Sequence, residues 1–262
     1  MSITLPPAPP DALGVRMPIS ARLSSDAPAG PAVWGGSMPP LPRVLADAVA
    51  ETWGATISVE ADGADPLALP GFGAAFAQAR ADQVVRAFSR RTNLVLAGAT
   101  TAVVGAGPIA DALAAALTRI GSRVVRVSDD PVTRLRAHLA GIAFADVGAL
   151  PETTRHAHYV VATGDGHDPI DPHRTEAVLI DASLGGTGLA PAGGPVRRPH
   201  VRRVGGASTV VDAPPPLPDD LNTIDALAWR LADLLVALGL LVAANGGDLT
   251  AADARLAHEV IA

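Results

Sequence analysis

Thr101-Ala102-Val103-Val104-Gly105-Ala106-Gly107-Pro108-Ile109-Ala110 is the stretch whose reading decides the fold. Its short apolar run reads as a buried strand. The run breaks at two glycines and resumes at Pro108, a residue favoured in the first turn of a helix. Strand, Gly-x-Gly-x-x-Ala turn and helix together make the phosphate-binding arrangement of dinucleotide-binding α/β domains. Gly105 lets the chain turn tightly. Gly107, lacking a side chain, lets backbone approach a pyrophosphate, and Ala110 keeps helix and strand close. The helix N-terminus offers unpaired N–H groups and the positive end of its dipole. Pro108 subtracts one donor; with Ile109 it belongs to the turn expected to touch a cofactor. A strand-helix turn that no longer binds nucleotide satisfies the same pattern.

Outward from this turn the pattern alternates. Pro108 to Ile120 reads as a helix ended by Gly121, and Arg123 to Val127 as a second strand. Pro131 to Ala140 is a helix stopped by Gly141. Tyr159 to Ala162, Ala177 to Asp181 and Thr209 to Val211 read as further strands. Such alternation implies a parallel sheet covered on both faces. Upstream, the first 42 residues are rich in Pro, Gly and Ser and read as mostly irregular. Arg43 to Thr52 looks helical, Ala55 to Glu60 like a strand, and Asp62 to Gly73 like a loop. Ala74 to Leu96 is a connecting helix with Phe76, Val84, Ala87, Phe88 and Val95 on one face, ended by Gly98. Downstream, Pro214-Pro215-Pro216 breaks the chain, Asn222 to Ala244 is a long helix, and Thr250 caps a last one. The expected fold is α/β: a Rossmann-like doubly wound parallel sheet with a small N-terminal α/β region and a long C-terminal helix. The expected segments are 1–97, an N-terminal region with the connecting helix; 98–213, the dinucleotide-binding domain; and 214–262, C-terminal helices packing back on the N-terminal region.

Composition bounds the chemistry. Of 262 residues 48% are hydrophobic but only 3% aromatic, so the core must be built from Ala, Val and Leu. There is no Cys, which excludes disulfides, thiolate metal sites and Cys nucleophiles. There is no Lys either; all 20 basic residues are Arg. That excludes a Lys Schiff base and a Walker-type phosphate loop. All-Arg, Ala-rich usage suits a GC-rich bacterial genome. The net charge of −6 argues against nucleic acid as a partner. The one basic cluster, Arg197, Arg198, Arg202 and Arg203 around His200, reads as a solvated loop, with a phosphate-facing patch as the alternative. Met1 to Pro10 has no signal-peptide features. The longest apolar run, Leu234 to Ala244, is short of the roughly 20 residues that cross a bilayer. The expectation is a cytoplasmic protein with no membrane partner, assembled as a homodimer.

Candidate chemistry gathers after the Tyr159 strand, where Asp165, His167, Asp168, Asp171 and His173 fall at the carboxyl edge of the sheet. Open α/β sheets bind ligands at that edge. His167, Asp168 and Asp165 are the catalytic candidates, since a histidine there can serve as general acid or base near neutral pH. A His-Asp group can also hold a divalent metal, although no metal is expected. The same residues equally suit turns and caps, with Asp165-Gly166 as a turn and Asp171-Pro172 opening a short helix. Ser183-Leu184-Gly185-Gly186 can line the cofactor site. His156 and His158 read as surface residues, and Asn222-Thr223 as a helix cap.

These segments resemble the cofactor domain of the S-adenosylhomocysteine hydrolases. The resemblance rests on Ser89 to Gly98 leading through Val103 to Gly107, on Arg123-Val124-Val125 followed by Asp130-Pro131, on Thr163-Gly164-Asp165 with Asp168 and Ile170, and on Glu176 to Asp181. It covers about residues 89–185, in a layout shared with 2-hydroxy-acid dehydrogenases. It implies an NAD-containing protein of two domains with a cleft between them, the cofactor transiently oxidising a substrate 3′-hydroxyl. This chain lacks the family's active-site Lys and nearby Cys, and Asp181 to Gly185 stands where the family has a His. The hydrolase reaction is therefore not expected. The family's ribose-binding Glu aligns with Ser128. Ser128 removes the repulsion of a 2′-phosphate, which Arg126 or Arg134 can then pair, while Asp129 can take the NAD role by a small shift. NAD and NADP both stay open.

The cofactor-binding residues expected are Gly105, Gly107, Pro108, Ile109, Ser128, Asp129, Thr163, Gly164 and Ser183. The expected partners are a dinucleotide and a small-molecule ligand. Three functions remain: an NAD(P)-dependent oxidoreductase on a small substrate, a non-catalytic relative of the hydrolases that binds a nucleotide as sensor or partner protein, and a structural component with an empty site.

Overall fold

A computed structural model of the chain describes residues 10–25, 30–35, 38–60, 63–205 and 208–261. The reading that Met1 to Pro10 lacks signal-peptide features falls, except for Pro10, on residues outside those described, as does the loop reading at Asp62. By internal packing the chain divides into two units, Met1–Ala79 with Pro215–Ala262, and Arg80–Pro214.

Among its described residues the N-terminal stretch, expected to be mostly irregular, is largely regular. It holds α1 (Pro10–Arg16), α2 (Pro18–Ser24) and β1 (Pro31–Trp34), followed by α3 (Arg43–Trp53), β2 (Thr56–Val59) and α4 (Pro70–Thr92). Strands β1 and β2 pair in parallel, Pro31 with Thr56 through Trp34 with Val59. α4 starts four residues earlier than its apolar pattern suggests and stops at Thr92. The chain then leaves the helix through Asn93, at φ 55°, while Gly98 serves a later turn.

The second unit carries β3 (Thr100–Val104), α5 (Gly107–Arg119), β4 (Arg123–Val127), α6 (Pro131–Leu139), β5 (Ala143–Ala145), α7 (Leu150–His156), β6 (Tyr159–Ala162), β7 (Val178–Asp181), β8 (Val196–Arg198), β9 (Val201–Val204) and β10 (Ser208–Val211). The strands form one sheet in the order β5-β4-β3-β6-β7-β10-β9-β8. From β5 to β10 every pair is parallel; β9 and β8 add an antiparallel edge. Counted within the parallel part, this is the order 3-2-1-4-5-6 of doubly wound dinucleotide-binding sheets. The expected α/β doubly wound fold is therefore present. Ala102, Val104, Val160, Ala162 and Leu179 are buried from the central strands, as a sheet covered on both faces requires. Three elements escape the sequence pattern: short β5, helix α7, and the β8–β9 hairpin. That hairpin occupies the basic segment expected to be a loop.

α8 (Ala226–Ala244) and α9 (Leu249–Ile261) complete the first unit. α8 is 19 residues long, and by length and composition it is apolar enough to cross a membrane; the run from Leu234 covers only part of it. Here every residue from Leu231 to Val242 is buried, and the helix packs on α2, α9, β1 and β2. Gly239 admits the sheet: a Cβ there would stand 2.9 Å from the Ile57 side chain and 3.4 Å from the Trp34 ring. The caps fall elsewhere than the sequence suggests. Asp225, rather than Asn222 or Thr223, accepts from Leu227 N–H to start α8, and Asp248, rather than Thr250, accepts from the Thr250 and Ala251 N–H groups to start α9.

Two aspartates on these helices cap other helices at long range. Asp233 accepts from Ile19 N–H at 3.0 Å and from the Ser20 N–H and hydroxyl at 2.8 and 2.7 Å, closing the N-terminus of α2. Asp253 accepts from Gly71 N–H at 2.9 Å and Phe72 N–H at 2.6 Å, closing that of α4. Each carboxylate satisfies donors that have no partner within their own helix. Asp233→Ala or Asp253→Ala is expected to cost about 2–3 kcal/mol in urea unfolding. Burial pushes the Asp233 carboxyl up from its ordinary 3.8, and its donors Ser20 and Ile19 pull it back. The folded protein thus holds this proton more firmly than the unfolded chain. The group's contribution is full below 3.8 and is lost as pH rises through its raised value. The stability of the parent relative to Asp233→Asn should therefore fall from about pH 3.5 upward; a difference that does not vary with pH would contradict this account.

Candidate nucleotide site at the strand reversal

The strand order reverses between β3 and β6, which are hydrogen-bonded neighbours. In open α/β sheets the ligand crevice lies beyond the carboxyl ends of such a pair. β3 ends in the Gly105 turn and β6 in the loop from Thr163, so the topology brings Gly105, Gly107, Thr163, Gly164, Asp165 and His167 to one place.

Gly105, at φ 126°, donates its N–H to Val127 O at 2.9 Å. A Cβ there would overlap Thr163 Oγ1 and lie 3.0 Å from Asp165 O. Gly107 is at φ 78°, and a Cβ on it would meet only Asp165 Oδ2, at 3.8 Å. The Ala106 N–H is taken by Asp165 O at 3.0 Å. Pro108 has no N–H, and with Ala106 as the N-cap the Ala110 N–H is already within the helix, so the donors α5 offers a ligand are those of Gly107 and Ile109. The side chains of Ile109 and Ala110 are buried, so Ile109 can reach a ligand only through its backbone.

Under the turn lies Arg126, which is 2% exposed. Its Nη2 donates to Gly105 O at 3.1 Å and its Nη1 pairs with Asp111 Oδ1 at 3.1 Å. Burial lowers its pKa, and Asp111 opposes the shift. Asp111 also takes Arg136 at 2.7 Å. Arg134 pairs with Asp146 and lies over the Phe144 ring. Arg126 and Arg134 therefore do not present free guanidinium groups to a 2′-phosphate. The residues at the end of β4 are occupied too. Ser128 is 1% exposed, and its Oγ accepts from Asp130 N–H at 3.1 Å. Asp129 accepts from Val147 N–H at 2.9 Å. Asp130 caps α6 through the Thr133 N–H and hydroxyl, whose hydrogen bonds lower its pKa.

The loop after β6 is held by its own atoms. Thr163 N–H and Oγ1 both bond Val104 O. His167 Nε2 accepts from Gly164 N–H at 3.1 Å while Nδ1 lies 2.7 Å from Asp168 O. That pair of contacts fixes the tautomer with the proton on Nδ1. Both ring nitrogens of the leading acid–base candidate are thus engaged by backbone. Asp168 is exposed, and Asp171 caps the turn at His173. Among the described residues no three His, Asp or Glu side chains converge as a metal site.

The loop after β7 flanks this one. Asp181 gathers the Ser183 N–H and hydroxyl and the Gly188 and Leu189 N–H groups. Ser183 Oγ in turn accepts from Thr187 N–H at 2.8 Å, which makes Ser183 a brace of its loop. A Cβ on Gly164 would stand 2.6 Å from Thr187 Oγ1 and 2.9 Å from Ser183 Cβ. Sequence reasoning missed Arg80, 1% exposed on α4. Its guanidinium donates to Ala182 O, Ser183 O and Pro214 O and to Gln83 Oε1. An arginine on the inner face of an otherwise Ala- and Phe-lined helix was the signal available.

Gly105→Ala is expected to cost about 3 kcal/mol or more of stability, from clash with Thr163 and left-handed strain. Gly107→Ala should cost about 1–2 kcal/mol, because only strain opposes it. Equal losses in thermal unfolding would show that the two glycines are not distinguished as described. His167→Ala should raise hydrogen exchange at the Gly164 amide about tenfold or more, and unchanged protection would remove the latch.

Residues 78–189 match the family model described as S-adenosyl-L-homocysteine hydrolase, NAD binding domain. Among solved structures the chain is similar to a component of dipicolinate synthase from Bacillus halodurans, with 13% identity and a TM-score of 0.45 over 60% of this chain and 52% of that one. It is also similar to an L-alanine dehydrogenase, with 14% identity and a TM-score of 0.48 over 82% and 66%. A transhydrogenase from Sinorhizobium meliloti shows 17% identity and a TM-score of 0.49 over 92% and 71%. The chain thus spans about half the length of the first of these proteins. The glycine turn and the strand order both lie within the part of the chain that resembles the S-adenosyl-L-homocysteine hydrolase NAD-binding domain, residues 78–189.

Proposed function

We propose that the protein binds a nicotinamide dinucleotide, NAD or NADP, at the Gly105–Gly107 turn and acts as an oxidoreductase on a small molecule. The observation that carries this reading is the glycine turn at the strand reversal of a 3-2-1-4-5-6 sheet, inside the segment that matches an NAD-binding family. When bound, the cofactor would supply hydride exchange at its nicotinamide ring. The chain's own part is to hold it. The side of Gly107 that lacks a side chain and the N-terminus of α5 suit a pyrophosphate. Thr163, Gly164 and Ser183 shape the neighbouring loops, and Asp168 is the exposed carboxylate of the cluster.

A second reading, a nucleotide-binding relative without catalysis, is favoured by one specific observation. Ser128, Asp129 and both nitrogens of His167 are all engaged in structural bonds. The hydrolase reaction is not proposed, because the chain has no Lys and no Cys.

Thermal unfolding with NAD, NADH, NADP, NADPH, adenosine and S-adenosylhomocysteine tests both readings. A ligand at 100 times its Kd adds about 2.7 kcal/mol, a rise of roughly 5–10 °C at this size. A shift with one dinucleotide is expected in the parent, and none in a folded Gly107→Arg variant. Oxidation of the reduced cofactor with a carbonyl library then separates the enzyme from the sensor. A full shift in Gly107→Arg would remove the turn from the binding site.

A further inference from the structure

We propose that Arg126 is a positioning residue of the nucleotide site: it holds the Gly105 carbonyl beneath the glycine turn, so that N–H groups and not a carbonyl oxygen face the ligand's phosphates. The inference rests on the dinucleotide reading above and deepens it, by naming the side chain that sets the polarity of the turn.

The place of this arginine argues for a task. Arg126 stands on β4 between Val125 and Val127, where a covered parallel strand is normally apolar. It is 2% exposed, and burial disfavours its charged form. Among the described residues its Nε has no hydrogen-bond partner. A buried ion pair is often no more stabilising than an apolar side chain of similar volume. Stability alone therefore does not account for an arginine here.

Its two contacts do. Nη2 donates to Gly105 O at 3.1 Å, and Nη1 pairs at 3.1 Å with Asp111 Oδ1 in the second turn of α5. One guanidinium thus ties the residue that opens the turn to the helix that follows it. Gly105 also donates its N–H to Val127 O at 2.9 Å, so its N–H and its carbonyl are both spent on β4. The peptide that follows is held at its far end by the bond from Ala106 N–H to Asp165 O, at 3.0 Å. Glycine itself does little to fix the torsions beside it. Without Arg126 the Gly105–Ala106 peptide is held at one end only. A carbonyl dipole that tilts toward an anion opposes the attraction offered by the α5 N-terminus.

Removing Arg126 does not strand a buried carboxylate, because Asp111 is partly exposed and keeps Arg136 at 2.7 Å. Isothermal titration of NAD and NADP against the parent, Arg126→Met, Arg126→Gln and Arg126→Lys tests the proposal, and either neutral variant that folds carries it. Hydrogen exchange at the Ala106 amide is measured without ligand in the same proteins. The neutral variants are expected to bind the dinucleotide about tenfold or more weakly, and to exchange the Ala106 amide about tenfold or more faster. Arg126→Lys, which keeps a cationic donor for Gly105 O, is expected to recover most of the affinity. Parent-like affinity in a folded neutral variant would overturn the proposal and leave the dinucleotide reading intact. Weakened binding with unchanged Ala106 exchange would also overturn it, since the turn would not be what had changed. So would a Lys variant as weak as the neutral ones. Loss of folding in both neutral variants would overturn it as well, by making Arg126 a requirement of the fold and not of the site. Absence of dinucleotide binding in the parent would overturn the underlying reading and this inference with it.

Discussion

Thr163 stands where a Cβ of residue 105 would be, and the site in the Arg80–Pro214 unit is arranged around that exclusion. Two parallel strands end side by side, and the loops that leave them must cross within van der Waals distance. Glycine at 105 allows it. Thr163 then spends both its N–H and its hydroxyl on Val104 O, which brings Asp165 to Ala106 and Gly107. Gly164 repeats the condition on the other side, where Ser183 and Thr187 leave no space for a side chain. Three successive loops, after β3, β6 and β7, are thus packed through glycines. Arg80 anchors the third by its carbonyls.

Much of this architecture is legible in the residues, and the gaps have identifiable causes. Val- and Ile-rich runs marked β3, β4, β6, β7 and β10 because central parallel strands are apolar on both faces. β5 is Ala-Phe-Ala and only three residues long, so it offers neither length nor β-branching. The β8–β9 hairpin is arginine-rich and reads as a solvated segment. α2 is seven residues long with no side-chain cap of its own; its N-terminus is closed by Asp233, more than 200 residues away. No local pattern contains that partner. For α8 and α9 the cap was a choice among several adjacent polar residues, and the aspartate nearest the helix took it each time.

The site was legible to a lesser degree, for a related reason. Residue type and spacing placed Asp165, His167 and Asp168 at the right edge of the sheet. They did not say where each side chain spends its hydrogen bonds. His167 faces its own loop, Ser128 and Asp129 serve the turn after β4, and Asp181 organises the β7 loop. Short polar side chains beside glycines compete for nearby backbone groups before any ligand arrives, and that competition is settled by torsions that a pattern of letters does not carry.

The two margins of the eight-stranded sheet differ in how they meet water. At one, β5 ends after three residues. At the other, β8 is exposed along its length, presents Arg197 and Arg198, and breaks register against β9 between Val196 and Arg198. An open, regular, neutral margin would be a template for strands of other molecules. Brevity on one side, and charge with a bulge on the other, deny that template. The arginines that read as a solvated loop thus have a second consequence: they favour a sheet that ends in solvent over one that grows from molecule to molecule.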